Sequence, residues 1–258
     1  KIRILHTPNT SIPEVQLLSN GKYHVMISNA GGGYSRWKDI AVTRWHDDVT
    51  CDNWGTFCYI RDVEGETFWS NTHQPALKKP DKYEVVYSPG RVDFHSSQHE
   101  IDVRTEIVVS PEDDIEMRRL HVINSSGIRK TLELTSYAEV VLASAASDLI
   151  APAFSNLFVQ TEIIPHQNTI MCTRRPRSAE EKSPWMFHLL ATEGKVADEI
   201  SFETDRMAFI GRGNTIVNPQ AIKQGKLSGS QGSVLDPIVA IRFKITLEPE
   251  EAITIDMV

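Results

Sequence analysis

From Tyr83 to the C-terminus, apolar and polar residues alternate with a period of two, and hardly any segment repeats at the helical period of about 3.6. Ile101, Val103, Thr105, Ile107 and Val109 share one face, with Asp102, Arg104 and Glu106 opposite. Leu132, Leu134, Ala138, Val140 and Leu142 face one way, and Thr131, Glu133, Thr135, Tyr137 and Glu139 the other. Val239, Ile241, Phe243, Ile245 and Leu247 repeat the pattern near the end. Turn-forming clusters separate these runs: Ser88-Pro89-Gly90, residues 110–114, Asn124-Ser125-Ser126-Gly127 and residues 248–251. Short strands joined by polar turns predict an all-β sandwich of many antiparallel strands. No linker and no fixed-period repeat divides the chain, so residues 1–258 read as one domain.

The rhythm breaks in a few places. Residues 143–155 hold small residues, Asp148 and Pro152, and read as a long loop of the kind that carries function. Residues 174–184 read as a charged loop, in which Arg174, Arg175 and Arg177 are countered by Glu180 and Glu181. Residues 209–214 read as a turn, residues 224–233 as a Gly/Ser-rich connection, and residues 1–17 as an entry arm.

A net charge of −7 over 258 residues argues against nucleic acid and anionic membrane surfaces as partners. No apolar run approaches the ~18 residues of a membrane span, and no signal peptide precedes the first strand pattern. The sequence starts at Lys1 without a methionine, which reads as a fragment of a longer protein. Three cysteines, Cys51, Cys58 and Cys172, do not make a disulfide framework and suit a reducing compartment. Cys51 and Cys58 lack the spacing and nearby ligands of a zinc site, so no metal is expected.

Residues 18–48 are the chemically densest stretch. An Asn20-Gly21 turn leads into a run with Tyr23, Val25 and Ile27 on one side. Gly31-Gly32-Gly33 then permits close backbone approach. It lacks the Lys-Ser/Thr and the spacing of a phosphate loop. Tyr34, Arg36, Trp37, Lys38 and Asp39 follow at once. Such a set suits a sugar, whose C–H faces stack on aromatics while its hydroxyls take charged partners. It suits packing against another domain equally well. The aromatics from Tyr34 to Trp69 therefore read as either a core seam or an apolar binding face.

No constellation names a reaction. His95 and His99 share a strand face about 13 Å apart, too far for a common ion. Asp47 and Asp48 are adjacent and point to opposite faces. Glu112, Asp113 and Asp114 are turn chemistry, and no G-x-S-x-G is present. No catalytic residue is assigned.

Several segments nevertheless occur together in one order. They include NGKYHVMISNAGGGYSRWKDIAVTRW (20–45), DNWGTFCYIRD (52–62), WSNTHQP (69–75), EIVVSPEDDIEMRRLHVIN (106–124), SYAEVVL (136–142), FSNLFVQTE (154–162), TRRPRS (173–178), DRMAFIGRGN (205–214) and LDPIVAIRFKITLEPEE (235–251). Through them the chain resembles the N-terminal β-supersandwich domain of glycoside hydrolase family 94 phosphorylases, formerly glycosyltransferase family 36. Above all it resembles the phosphorylase-like region of cyclic β-1,2-glucan synthases. The resemblance implies a galactose-mutarotase-like supersandwich followed by an (α/α)₆ catalytic barrel. That barrel would carry the general acid and bind inorganic phosphate, so this domain itself needs no cofactor. The implied partners are that barrel, a β-glucan oligosaccharide and a second copy of the protein. The implied location is the cytoplasmic side, in a parent held at the inner membrane.

In the cellobiose-phosphorylase branch a loop of this domain reaches a neighbouring subunit's acceptor subsite, and by order it matches residues 147–156. The branch's Gln-Arg pair before an Asn is replaced here by Phe154 and Ser155 before Asn156. The expected sugar contacts are thus Tyr34, Arg36, Trp37, Phe154, Ser155 and Asn156. The readings set against this one are a self-sufficient aldose epimerase, which needs a His and a carboxylate converging, and a stand-alone carbohydrate-binding module.

Overall fold

The computed structural model describes residues 1–176, 178, 182–195 and 197–258. Arg177, Glu180 and Glu181 of the expected charged loop lie outside the described residues. The first nine strands are β1 (Arg3–Leu5), β2 (Val15–Ser19), β3 (Tyr23–Ser28), β4 (Gly33–Trp37), β5 (Ile40–Thr43), β6 (Thr56–Asp62), β7 (Thr67–Ser70), β8 (Lys82–Ser88) and β9 (Arg91–Gln98). The next nine are β10 (Ile101–Val109), β11 (Glu116–Asn124), β12 (Lys130–Ser144), β13 (Val159–Ile164), β14 (Thr169–Arg174), β15 (Trp185–Glu193), β16 (Glu199–Asp205), β17 (Pro237–Leu247) and β18 (Ala252–Met257). The helices are short: α1 (Ala145–Ile150), α2 (Pro152–Asn156) and α3 (Arg206–Ile210).

The strands form two antiparallel sheets. One runs β1-β8-β9-β10-β11-β18-β15-β14-β13. The other runs β16-β17-β12-β5-β4-β3-β2, with β6 also paired to β12 and β7 to β6. The all-β expectation holds. The inward faces meet in one core, where Val103, Leu120, Val122, Ile170 and Ile255 of the first sheet face Ile60, Leu134, Val140, Ile241 and Phe243 of the second. A second cluster joins Val25 and Ile27 to Val85, Tyr87, Val92 and Phe94. Period-two alternation places these residues on one face of each strand, so any one-residue slip would turn them to solvent.

β12 is the spine. Its residues pair with β17 along one edge, and with β6 and then β5 along the other. Both of its faces are buried, contrary to the polar outer face that its sequence suggests. α3 and the segment after it fold back over the second sheet, where Phe209, Ile210, Ile216, Ile222 and Leu227 cover Tyr59, Tyr137 and Ala240. The turn expected at residues 209–214 is thus partly α3, capped by Asp205, whose side chain accepts from the Met207 N–H. The entry arm contributes β1 and β2, which close one edge of each sheet.

The two sheets are also pinned by a polar contact. Ser136 Oγ of β12 lies 2.8 Å from His188 Nε2 of β15, and both residues are buried. Burial holds the imidazole pKa down at about 4, from about 6.5 in an unfolded chain. Between those values the unfolded chain binds the extra proton, so stability rises with pH. The His188 contribution is complete above pH ~6.5 and lost as pH falls towards 4, by about 3 kcal/mol in all. Unfolding free energies measured across that window should fall more steeply with acid for the wild type than for His188→Gln. Parallel curves would show that His188 is not held neutral.

Candidate functional site

β12 and β5 bring together the two segments that the sequence singles out. Their register is regular at Val140↔Thr43 and shifts before Ala143↔Ala41, with Leu142 at φ 51°. Such a bulge re-aims a strand, and β12 turns directly into α1. Ser144 caps α1, its side chain accepting from the Ser147 N–H, and Pro152 opens α2. The loop expected over residues 143–155 is therefore a helical hairpin.

Arg44, the residue after β5, holds this hairpin down. It is 6% exposed. Its Nε donates to Asp148 of α1 (3.1 Å), Nη1 to Glu139 of β12 (2.6 Å), and Nη2 to the Asn156 side-chain carbonyl in α2 (2.9 Å). Asn156 Nδ2 donates in turn to Asp236 (3.0 Å). Arg206 Nε and the Tyr137 hydroxyl share the other Glu139 oxygen, at 2.7 and 2.8 Å. Arg174, buried beneath α2, donates to the Ser155 carbonyl at 2.9 Å. Three carboxylates thus surround two guanidiniums. The Arg44 and Arg206 pKa values are held high by Glu139, against their burial, and burial raises that of Asp236. All three acids are occupied in holding structure.

With its polar residues turned inward, the hairpin projects apolar ones. Ser155 and Asn156 are buried, whereas Leu149, Ile150, Phe154 and Leu157 are exposed. Phe154 is 55% exposed, edge-on to Phe158 at 5.3 Å between centroids.

Beside Arg44 lies the aromatic group. Trp45 packs edge-on against Tyr34 (5.9 Å), and His46 tilts over Trp54 (4.7 Å). Arg36 sits over the Tyr34 ring at 4.5 Å. His46 Nε2 lies 3.8 Å from Asp148 and is buried without a hydrogen-bond partner. The half-buried indole of Trp45 can stack on a sugar, whereas His46 Nε2 is turned away from solvent. Trp37, Trp45 and Trp54 are half-buried, while Phe57, Tyr59 and Trp69 are core. The seam therefore divides between the two readings given by its sequence.

The triple glycine builds this surface from within. A Cβ on Gly32 would lie 1.9 Å from the Asp52 carbonyl oxygen, and one on Gly31 2.2 Å from Thr72 Oγ1. The Gly33 N–H donates to Trp54 O at 2.7 Å, and the Ser28 hydroxyl donates to Asp52. The close approach expected of these glycines is to the chain's own backbone and side chains: Gly31 to Thr72, Gly32 to Asp52 and Gly33 to Met26, with the Gly33 N–H bond helping to seat Trp54.

Alternation along β4 parts Trp37 from Tyr34 and Arg36. Ser35 and Trp37 line a cavity of about 610 Å³ between the sheets, where Trp37 Nε1 donates to Asp114 at 2.6 Å. Glu116, Arg118 and His188 line the same cavity. Spacing did not bring this His and carboxylate together; only the sheet order β11-β18-β15 does. Glu116 is committed to Arg118 (2.6 Å), Ser35 and Tyr23, and His188 to Ser136. Among the described residues no group of His, Cys, Asp and Glu could hold a metal ion, and no helix is long and apolar enough to cross a membrane. Burial pushes the Cys58 and Cys172 thiols up to about 12.

Comparison with known proteins decides the family. The family model described as glycosyl hydrolase 94, supersandwich domain, matches residues 1–258. The chain belongs to this family. It is 35% identical over 243 residues to the cyclic beta-(1,2)-glucan synthase NdvB of Rhizobium meliloti (strain 1021), covering 94% of this chain and 9% of that protein. It is 25% identical to an N,N'-diacetylchitobiose phosphorylase of Vibrio furnissii, over 97% of this chain and 31% of the relative. A 3-O-beta-D-glucopyranosyl-beta-D-glucuronide phosphorylase of Paenibacillus borealis is 23% identical, with 96% and 30% covered. The chain thus spans a third or less of these relatives' lengths.

The glycine contacts give a direct test. Gly32→Ala should cost about 3 kcal/mol of unfolding free energy and shift Trp54 fluorescence, because the Asp52 backbone must move. Gly127→Ala, whose Cβ would meet nothing within 4 Å, should change stability by under about 0.5 kcal/mol. Equal effects in denaturant unfolding would contradict the close-approach account.

Proposed function

We propose that this chain is the non-catalytic, carbohydrate-associated supersandwich domain of a longer β-glucan-processing enzyme, a cyclic β-1,2-glucan synthase or a glycan phosphorylase. Its surface packs on a catalytic (α/α)₆ barrel and shapes the substrate entrance and a dimer contact. Inorganic phosphate, the general acid and the reacting sugar belong to the barrel. On the same reading the domain works on the cytoplasmic side of a membrane-held parent.

The observation that carries this reading is the hairpin of α1 and α2. Buried ion pairs hold it in place, and it exposes Leu149, Ile150, Phe154 and Leu157. Apolar groups held out rigidly, beside half-buried Trp45 and Trp54, suit a partner surface or a sugar face. Phe154 and Tyr34 are then direct contacts, whereas Ser155 and Asn156 position the hairpin. Higher identity to the glucan synthase than to the phosphorylases favours a β-1,2-glucan among the substrates.

The epimerase reading draws support from Glu116 and His188 lining one cavity. Both are tied up by neighbours, and His188 is neutral and buried. The purified chain should therefore not speed glucose mutarotation above a buffer blank. It should also release no sugar phosphate from β-1,2-glucan and phosphate.

In the longer protein, Phe154→Ala should raise the acceptor KM five- to tenfold, the equivalent of about 1 kcal/mol of stacking. Stability should change by less than about 1 kcal/mol, because the ring is half exposed. Turnover by the isolated chain would overturn the non-catalytic assignment. A loss of about 3–5 kcal/mol with normal KM would place Phe154 in the core instead.

A further inference from the structure

The outer face of the first sheet carries a second aromatic group, at the end formed by β13, β14 and β15. Along β15, Met186 packs on the core and His188 is buried, so Trp185 and Phe187 point outward. They are 62% and 54% exposed. Two residues apart on one strand face, they stand about 7 Å from each other. The strand register sets each of them at the head of a row across the sheet. Trp185, Thr173 and Gln160 form one row, and Phe187, Met171 and Glu162 the next.

At the far end of both rows lies a cleft of about 380 Å³, lined by Gln160, Glu162, Met171, Thr173 and Gln231 among others. Two strand spacings, roughly 9–10 Å, separate its β13 wall from the aromatic pair. A span of that order holds a pair of linked pyranose rings.

The β13 edge beside the cleft is already closed. The Thr161 N–H donates to the Gly232 carbonyl at 3.0 Å, and the Thr161 carbonyl accepts from the Gly232 N–H at 2.9 Å. The Gln231 side-chain oxygen accepts from the Ile163 N–H at 2.8 Å. A peptide therefore cannot add there as a further strand. The last contact also fixes the Gln231 amide, whose two N–H donors it does not use. Gln160, Glu162 and Thr173 bring further amide, carboxylate and hydroxyl groups to the same cleft.

We propose that this face is a surface site for a neutral oligosaccharide, with one ring stacked on Trp185 or Phe187 and the next held by its hydroxyls in the cleft. A pyranose has apolar C–H faces and a polar edge, and the rows offer aromatic faces at β15 and hydrogen-bonding groups at β13. A protein partner fits less well, because Glu is depleted at the core of such interfaces. Among the described residues Glu162 is the one charged side chain lining the cleft, which disfavours an acidic sugar. The site lies on the other sheet from Tyr34 and Arg36, so it adds to the expected contacts. It rests on the carbohydrate-associated reading only for the choice of a glucan as probe.

Titrating this chain with a short linear β-1,2-glucan oligosaccharide tests the site, with the Trp185 indole N–H followed by nuclear magnetic resonance. That signal should shift saturably, with a Kd of about 1 mM or below. By calorimetry, Trp185→Ala should weaken binding about five- to tenfold. Its unfolding free energy should stay near that of the wild type, because the ring is largely exposed. Phe154→Ala should leave this affinity unchanged. The acceptor KM of that variant in the longer protein is a separate readout, so the surface site and the hairpin contact can fail independently. A Trp185 signal that stays still at about 10 mM sugar would overturn the proposal, whether or not the variants fold. Full affinity in Trp185→Ala would put the sugar elsewhere and overturn it too. So would a Trp185 shift that follows protein concentration rather than sugar, which would make the face a contact between copies.

Discussion

The projecting end of this molecule depends on one buried guanidinium. Arg44 reaches β12 through Glu139, α1 through Asp148 and α2 through Asn156. Each of these groups would be costly to bury alone. Together they form a closed set whose members justify one another's burial. Removing one partner leaves an uncompensated charge, at a cost of about 3–5 kcal/mol. Two helices of six and five residues have little stability of their own. The ion cluster supplies the positional definition that so short a pair lacks.

The cluster also explains why the hairpin looks apolar from outside. Asp148, Ser155 and Asn156 are turned inward by Arg44 and Arg174, which leaves Leu149, Ile150 and Phe154 outermost. Trp45 and His46 continue from Arg44 in sequence, so the aromatic surface and the hairpin share an anchor. Trp54 joins them from the other side through the glycine contact with Asp52. One end of the sandwich is thereby assembled from four separate stretches of chain.

Much of the fold is legible in the alternation. The alternating runs at 101–109, 132–142 and 239–247 fall within β10, β12 and β17. The helices are not legible, because five or six residues cannot display a period of about 3.6. The outer layer is hidden for a different reason. Glu133, Thr135, Tyr137 and Glu139 look like a solvated face, but all four are buried, Tyr137 beneath the fold-back that carries Phe209 to Leu227. A clue was present: two glutamates inside the longest apolar strand require buried partners, which turn out to be Arg61 and Arg242 for Glu133, and Arg44 and Arg206 for Glu139. Of the six expected sugar contacts, alternation sends Trp37 away from Tyr34 and Arg36, and the cluster takes Asn156 inward. Pattern reading locates the segments, but burial decides which side chains remain available.

The role of Arg44 is most directly measured by a double-mutant cycle of Arg44→Met and Asp148→Asn, read by denaturant unfolding. If the guanidinium and the carboxylate hold the hairpin as one unit, the two changes will be coupled by at least about 1.5 kcal/mol. Effects that add within about 0.5 kcal/mol would contradict that claim, and the hairpin would have to be held by its apolar contacts instead.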